Sequence, residues 1–352
     1  QAVSVDGTSG TALAVDANGD PVGAALMYND ACPDDDVTAR VEALAPATSA
    51  ARGRTSGLLR MLMLQDLPGA VRVLHQADWI AGRLCGRFDF SDDNNALKTG
   101  WDPVERRWPD WVFAAGAKPD RLPEVRLPGS RVAPVGERAA ALGLPARASV
   151  HAGTTDGCAS FLATGASLVG DAVTALGSTL VVKMLSDRPI AAAEYGVYSH
   201  RIGERWLVGG ASNTGGAVIA GLFAEAKLGA LTEALKPDIE TGFAYYPLLT
   251  PGERFPINDP AHKPVLDPRP EDEAVFFQAV LEGIADVEAL AYRRLLELGA
   301  PPLRSVRSVG GGAANAGWTA IRQRRLAVPF LAPASDEACD GVARLALEHL
   351  AR

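Results

Sequence analysis

Cysteine, basic runs and long apolar stretches are all scarce in this chain, and each scarcity removes a class of protein. The four cysteines among 352 residues (Cys32, Cys85, Cys158 and Cys339) lie far apart and fit no metal-ligand spacing. Neither a zinc module nor a disulfide scaffold is expected, and the thiols read as free, mostly buried groups of a reducing, cytoplasmic setting. No stretch approaches the roughly 20 apolar residues a membrane helix needs. Formal net charge is −8, and no basic run of the kind that grips nucleic acid occurs. Among His75, His151, His200, His262 and His349 no pair has metal-ligand spacing, and no Walker-type lysine stands behind a phosphate loop. An acidic chain that binds a phosphorylated ligand must then draw positive potential from backbone N–H groups and a metal ion. Glycine is what the chain has in quantity, 36 residues of it, so glycine turns are where to look.

The length leaves room for two domains, each able to bury its own core. Ala2 to Val5 and Thr11 to Val15 read as strands around the turn Asp6-Gly7-Thr8-Ser9-Gly10, and Asn18-Gly19 signals a second turn. Helices are expected over about 55–65 and 70–83, separated by Pro68 and Gly69, whereas 88–145 holds only short elements. Further on, Ala148 to Ala152 is a strand, Thr154-Thr155-Asp156 caps a helix, and Asp171 to Leu176 and Leu180 to Leu185 flank a turn. A hairpin runs from about Tyr198 to Val208, and Gly215-Gly216 opens a helix to about Lys227. The clearest helix spans about 271–298, with Phe276, Val280, Gly283, Val287 and Leu290 on its buried face. A strand Val306 to Val309 meets Gly310-Gly311-Gly312, a helix starts near Ala314, and a last helix runs from 335 or 336 to the chain's end. Hairpins followed by helices, twice over, predict an α/β protein of two domains with mixed sheets.

Three places offer chemistry. Gly177-Ser178-Thr179 lies in a tight turn between strands, where N–H groups are free and small residues admit a phosphate, although an ordinary hairpin turn reads the same way. Gly310-Gly311-Gly312 permits close backbone approach, with Asn315 as an amide donor and Trp318 as a surface for a purine to stack on; a strand-to-helix loop over a core tryptophan is the plainer alternative. Asp156 is by propensity an N-cap, and in the functional reading a general base that accepts the proton of an attacking hydroxyl. Asp6 and Ser9 could hold sugar hydroxyls or simply make their turn.

The order of these segments resembles the FGGY carbohydrate kinases, and within them the D-ribulose kinases of cyanobacteria and plants, sometimes called xylulose kinase-like. The resemblance runs over essentially the whole chain. It is carried by Val5-Asp6-Gly7-Thr8-Ser9-Gly10-Thr11, Tyr28-Asn29-Asp30-Ala31-Cys32-Pro33, His75-Gln76-Ala77-Asp78-Trp79 and Asp93-Asn94-Asn95-Ala96-Leu97-Lys98. Gly153-Thr154-Thr155-Asp156, Leu176-Gly177-Ser178-Thr179-Leu180 and Tyr195-Gly196-Val197-Tyr198-Ser199-His200-Arg201 continue it. Val208-Gly209-Gly210-Ala211-Ser212-Asn213-Thr214-Gly215-Gly216, Leu281-Glu282-Gly283-Ile284-Ala285 and Gly310-Gly311-Gly312-Ala313-Ala314-Asn315 complete it.

The resemblance implies an actin-like ATPase (ribonuclease H-like) fold with an active-site cleft between two domains. It makes 1–163 plus 337–352 the sugar domain and 164–336 the ATP domain. By it, Asp156 is the catalytic aspartate and also touches the sugar, which Ser9 helps to hold. Gly177, Ser178, Thr179, Gly215, Gly311, Gly312, Asn315 and Trp318 serve ATP, with Mg²⁺ on the phosphates and no protein metal ligand assigned. A sugar and ATP are the partners implied, in a monomer or homodimer, without nucleic acid or membrane. The family's first hairpin bears Asp-x-Gly-Thr; Asp6-Gly7-Thr8 is one residue too short for it, and Tyr28-Asn29-Asp30 matches a later strand. That hairpin, a further strand and a helix are therefore expected to be missing, leaving the first sheet with an open edge.

Overall fold

Strands in this protein follow the short apolar runs, and glycines decide where those runs stop. The computed structural model describes residues 1–350, without the side chains of His349 and Leu350, so the expected end of the last helix at 351 and 352 lies outside the described residues. The chain divides into two units. The first comprises Gln1–Gly165, His200–Trp206 and the residues from Glu337 onward; the second comprises Ala166–Ser199 and Leu207–Asp336.

The first unit begins with β1 (Ala2–Val3), β2 (Asp6–Gly7), β3 (Ala12–Val15), α1 (Asp35–Leu44), α2 (Gly57–Leu64), β4 (Arg72–His75) and α3 (Gln76–Cys85). It goes on with β5 (Phe90–Asp92), α4 (Asp93–Ala96), α5 (Asp110–Ala114), β6 (Glu124–Arg126), β7 (Arg131–Pro134), α6 (Glu137–Ala141), β8 (Ser149–His151), β9 (Thr154–Thr155) and α7 (Asp156–Ala163). One sheet has the order β1-β8-β7, and three two-stranded ladders pair β2 with β9, β3 with β4 and β5 with β6. Ser56 caps α2, its Oγ accepting the Leu59 N–H at 3.3 Å, and Leu58, Leu59, Met61 and Leu64 turn inward onto Val41 and Val73. The helix expected over 70–83 is corrected: Arg72–His75 is a strand antiparallel to β3, with Leu74 opposite Leu13, and the helix starts only at Gln76. Asp6-Gly7, expected in a turn, instead pairs in parallel with Thr154-Thr155.

The second unit holds β10 (Asp171–Leu176), β11 (Leu180–Ser186), β12 (Tyr198–Ile202), β13 (Arg205–Ser212), α8 (Gly216–Leu222), α9 (Glu225–Glu233), α10 (Glu273–Glu297), β14 (Ser305–Val309) and α11 (Ala316–Leu326). Its sheet runs β12-β13-β11-β10-β14, while the tip of the β12–β13 hairpin groups with the first unit. The single helix expected from Gly215 to Lys227 is two, because the backbone turns extended at Phe223. The long helix α10 is capped by Asp272, whose Oδ1 accepts the Ala274 N–H at 2.8 Å, and Phe276, Val280, Ile284 and Val287 seat it in the core. A last helix, α12 (Ala338–Leu350), lies on α7 so closely that a Cβ at Gly341 would stand 2.7 Å from Ala163 N. No described helix is long and apolar enough to cross a membrane.

Candidate functional site

Sheet register assembles the glycine turns of the second unit. β10 runs antiparallel to β11, with Leu176 opposite Leu180, and parallel to β14, with Ala175 opposite Val309. Gly177-Ser178-Thr179 and Gly310 therefore leave the sheet at the same end. A third segment joins them: Thr214 O accepts the Leu180 N–H at 2.8 Å, Gly216 N–H donates to Gly177 O at 2.8 Å, and Ala217 N–H donates to Ser178 O at 3.0 Å. Contact is close enough that only glycine fits at two points. Gly215 has φ +137°, and a Cβ there would lie 2.7 Å from Thr179 C; one at Gly310 (φ +84°) would lie 2.9 Å from Leu176 O.

Among the described residues no acceptor takes the N–H groups of Gly177, Ser178 or Thr179, and Gly177 and Ser178 are exposed. Gly311 and Gly312 open a 3₁₀ turn, whose first N–H groups have no partner within the turn. The result is a surface of small residues and unpaired backbone donors, suited to an anion such as a phosphate chain.

One expectation needs correction here. Trp318 is 2% exposed, its Nε1 donates to Leu281 O at 3.1 Å, and its ring lies directly under Gly312, where a Cβ would come within 2.6 Å of it. It floors the glycine loop and presents no free face for a purine. Asn315 is the N-cap of α11: its Oδ1 accepts the Trp318 N–H at 2.9 Å, and one of its two Nδ2 hydrogens goes to Thr232 Oγ1 at 3.2 Å, which is compatible with the amide-donor expectation.

In the first unit the parallel pairing of β2 with β9 puts Asp6 opposite Thr154, two residues before Asp156. The N-cap of α7 is Thr155; Asp156 is the first helical residue, exposed, its Oδ1 accepting the Gly157 N–H at 2.6 Å. Burial pushes the Asp6 carboxyl above the ordinary aspartate range, and the nearby Asp156 charge pushes it further. The turn after Asp6 is gripped from two sides. Gln76 Oε1 accepts the Thr8 N–H at 2.9 Å, and Arg60 Nε donates to Gly10 O at 2.6 Å. Ser9 Oγ is buried in this turn without a hydrogen-bond partner, as is Thr11 Oγ1. Asn94 supports the other strand, its Nδ2 donating to Thr154 Oγ1 at 3.0 Å.

The second unit thus presents exposed backbone amides at its glycine turns, and the first an exposed carboxylate at Asp156 and unpartnered hydroxyls at Ser9 and Thr11. The profile of the FGGY family of carbohydrate kinases, C-terminal domain, matches residues 172–347, and the chain belongs to that family. The fold is similar to that of a xylulose kinase from Bifidobacterium adolescentis (TM-score 0.82, 21% identity, 100% of this chain and 81% of that one). It is similar also to a ligand-bound xylulose kinase from Lactobacillus acidophilus (TM-score 0.82, 17% identity, 99% and 76%). A glycerol kinase from Plasmodium falciparum, solved with ADP, matches at TM-score 0.82 and 15% identity over 99% and 76%. The fold is the actin-like ATPase fold of these sugar kinases, and the protein is a phosphotransferase acting on a carbohydrate.

Sequence reasoning singled out the glycine turns and Asp156 but missed Arg60, Gln76, Asn94 and Thr214. Only Arg60 carries a local sign, as the one charged residue in the apolar helix Gly57–Leu64.

Proposed function

We propose that the protein transfers the γ-phosphoryl group of ATP to the terminal hydroxyl of D-ribulose, giving D-ribulose 5-phosphate and ADP. The observation that carries this reading is the Thr8–Thr11 turn, where the Ser9 hydroxyl is buried without a partner just after β2, the strand paired with β9, which leads into Asp156. A polyol hydroxyl would complete that hydrogen bonding. Asp156, exposed at the start of α7, takes the hydroxyl proton as the sugar oxygen attacks the γ-phosphorus and the bond to the bridging oxygen of ADP breaks. In this reading residues 1–163 with the last helix bind the sugar. Residues 164–336 bind ATP, through the N–H groups of Gly177, Ser178, Thr179, Gly311 and Gly312, with Gly215 giving the turn its close backing.

Among the described residues no three His, Cys, Asp or Glu side chains cluster to hold a metal. An Mg²⁺ arriving on the ATP phosphates would offset their charge beside the backbone amides. The proposed setting is the cytoplasm, where ATP is available.

A second reading, D-xylulose as acceptor, is favoured by the likeness in fold to xylulose kinases. ADP release measured over D-ribulose, D-xylulose, glycerol and gluconate separates the two. D-ribulose should give the highest kcat/KM. A clear preference for D-xylulose establishes the second reading, and no release above the sugar-free rate with any acceptor overturns both.

A further inference from the structure

Glu253 lies in the loop between α9 and α10 and is 2% exposed. Among the described residues no cation pairs with it. Its carboxylate is instead surrounded by donors. Oε1 accepts the N–H groups of Asn213 at 2.8 Å, Arg254 at 2.9 Å and Phe255 at 3.4 Å; Oε2 accepts Ser212 Oγ at 2.6 Å and Tyr246 Oη at 2.8 Å. Burial and the adjacent Glu253 charge push the Tyr246 phenol far up, so it stays a donor. Five hydrogen bonds to one buried carboxylate are a large investment for a loop.

What that carboxylate holds explains it. Ser212 and Asn213 lead directly into Thr214-Gly215-Gly216, the segment that backs the Gly177-Ser178-Thr179 turn. Ser212 Oγ, fixed by Glu253, accepts the Thr214 N–H at 3.1 Å, and Thr214 O in turn accepts the Leu180 N–H at 2.8 Å. Asn213 Nδ2 adds a second tie by donating to Gly252 O at 2.9 Å. Phe255, two residues on, fills the space under Gly210, where a Cβ would lie 2.6 Å from its ring.

We propose that Glu253 is a positioning residue for the nucleotide: it sets the Ser212–Gly216 segment, and through that segment holds the phosphate-binding turn in shape. This rests on the reading of the glycine turns as the ATP site. Glu253 itself touches no phosphate, and a carboxylate that did would repel one.

The test is calorimetric titration with Mg·ADP and, separately, with D-ribulose, alongside thermal unfolding, for the parent and four variants. Glu253→Ala should weaken ADP binding by about tenfold or more, the scale of a lost charged hydrogen bond, with D-ribulose affinity unchanged. Glu253→Gln keeps an acceptor for the N–H groups and a donor toward the two hydroxyls, so it should restore most ADP affinity. Ser212→Ala removes the acceptor of Thr214 N–H and should weaken ADP. Tyr245→Phe removes a hydroxyl that donates to Pro268 O at 2.6 Å, outside the 212–216 segment, and should lower the melting temperature alone. If Glu253→Ala fails to fold, the contrast of Ser212→Ala with Tyr245→Phe decides. Unchanged ADP affinity in folded Glu253→Ala, or equal losses in Ser212→Ala and Tyr245→Phe, overturns the proposal. A parent that does not bind ADP is a different result: it overturns the nucleotide site itself.

Discussion

Arg60 and Arg322 are the bulkiest side chains that the fold buries completely, one in each unit, and they are neutralised in opposite ways. Arg322 meets a carboxylate: its Nε and Nη2 donate to the two oxygens of Glu288 at 2.6 and 2.7 Å, and Thr174 Oγ1 donates to the same group at 2.5 Å. Arg60 has no carboxylate within ion-pair distance among the described residues. Its N–H groups go to the main-chain carbonyls of Gly10, Tyr28 and Asp30, and burial holds its pKa below the usual guanidinium value. The second unit closes this charge on itself, with Arg322 Nη1 also donating to Ser308 Oγ at 2.8 Å, and its glycine turns carry backbone amides alone. The first unit uses its buried cation to tie together loops around a turn whose own side chains remain unpaired. In the proposed reading, phosphate recognition by main chain falls to the second unit and hydroxyl chemistry by side chain to the first.

The sharpest way to break that separation is at Asp156. If proton acceptance depends on this one side chain, Asp156→Asn should lower turnover by about 10²–10⁴-fold, the usual worth of a general base. Asn keeps an oxygen to accept the Gly157 N–H, so the change should leave folding nearly untouched, and ADP binding should persist. Turnover within about threefold of the parent, far short of a general base's contribution, would return Asp156 to the structural residues.

The arginines themselves give the next largest effect. Arg322→Met leaves Glu288 buried without its cation and should cost about 3–5 kcal/mol of stability. Arg60→Met leaves neutral carbonyls that water can reach once the loops relax, for a cost of about 1–3 kcal/mol. Chemical denaturation of the two variants compares them directly, and equal losses would show that the carbonyl cage matters as much as the ion pair.

How much of this the sequence revealed depended on whether the cause was local. The glycine turns were legible because the requirement for small residues and positive φ is written at the turn itself, as at Gly310. Helix α10 was legible because 25 residues of periodic apolar pattern leave no other reading. Strand β4 was not, since Arg72-Val73-Leu74-His75 is too short to show an alternation and only its partner β3 makes it a strand. Trp318 failed for a related reason: an indole beside a glycine loop looks the same whether it faces a ligand or supports the loop from below. Glu253 reads as one more polar residue after Pro251-Gly252, because its five donors come from segments up to 41 residues away.

The smallest effect expected tests whether the first unit's carboxylates feel each other. Burial comes first and the Asp156 charge second in raising the Asp6 pKa above the ordinary aspartate value of about 3.9, while a hydrogen bond from its own backbone pulls the other way. A carboxyl whose pKa is higher folded than unfolded binds its proton more tightly in the native state. Its contribution to stability is therefore complete below the unfolded value and is lost as pH rises through the folded one. At neutral pH Asp6 is ionised against both influences, and the fold carries that cost. Asp6→Asn removes the charge, and its backbone pairing with Thr154 does not involve the side chain. The variant should match or exceed the parent's stability near neutrality and lose that advantage as pH falls toward about 4, where the parent's Asp6 is protonated. Denaturation midpoints taken at steps between about pH 4 and 8 measure the difference. A stability difference that stays flat with pH would show that burial and the Asp156 charge have no net hold on the Asp6 carboxyl.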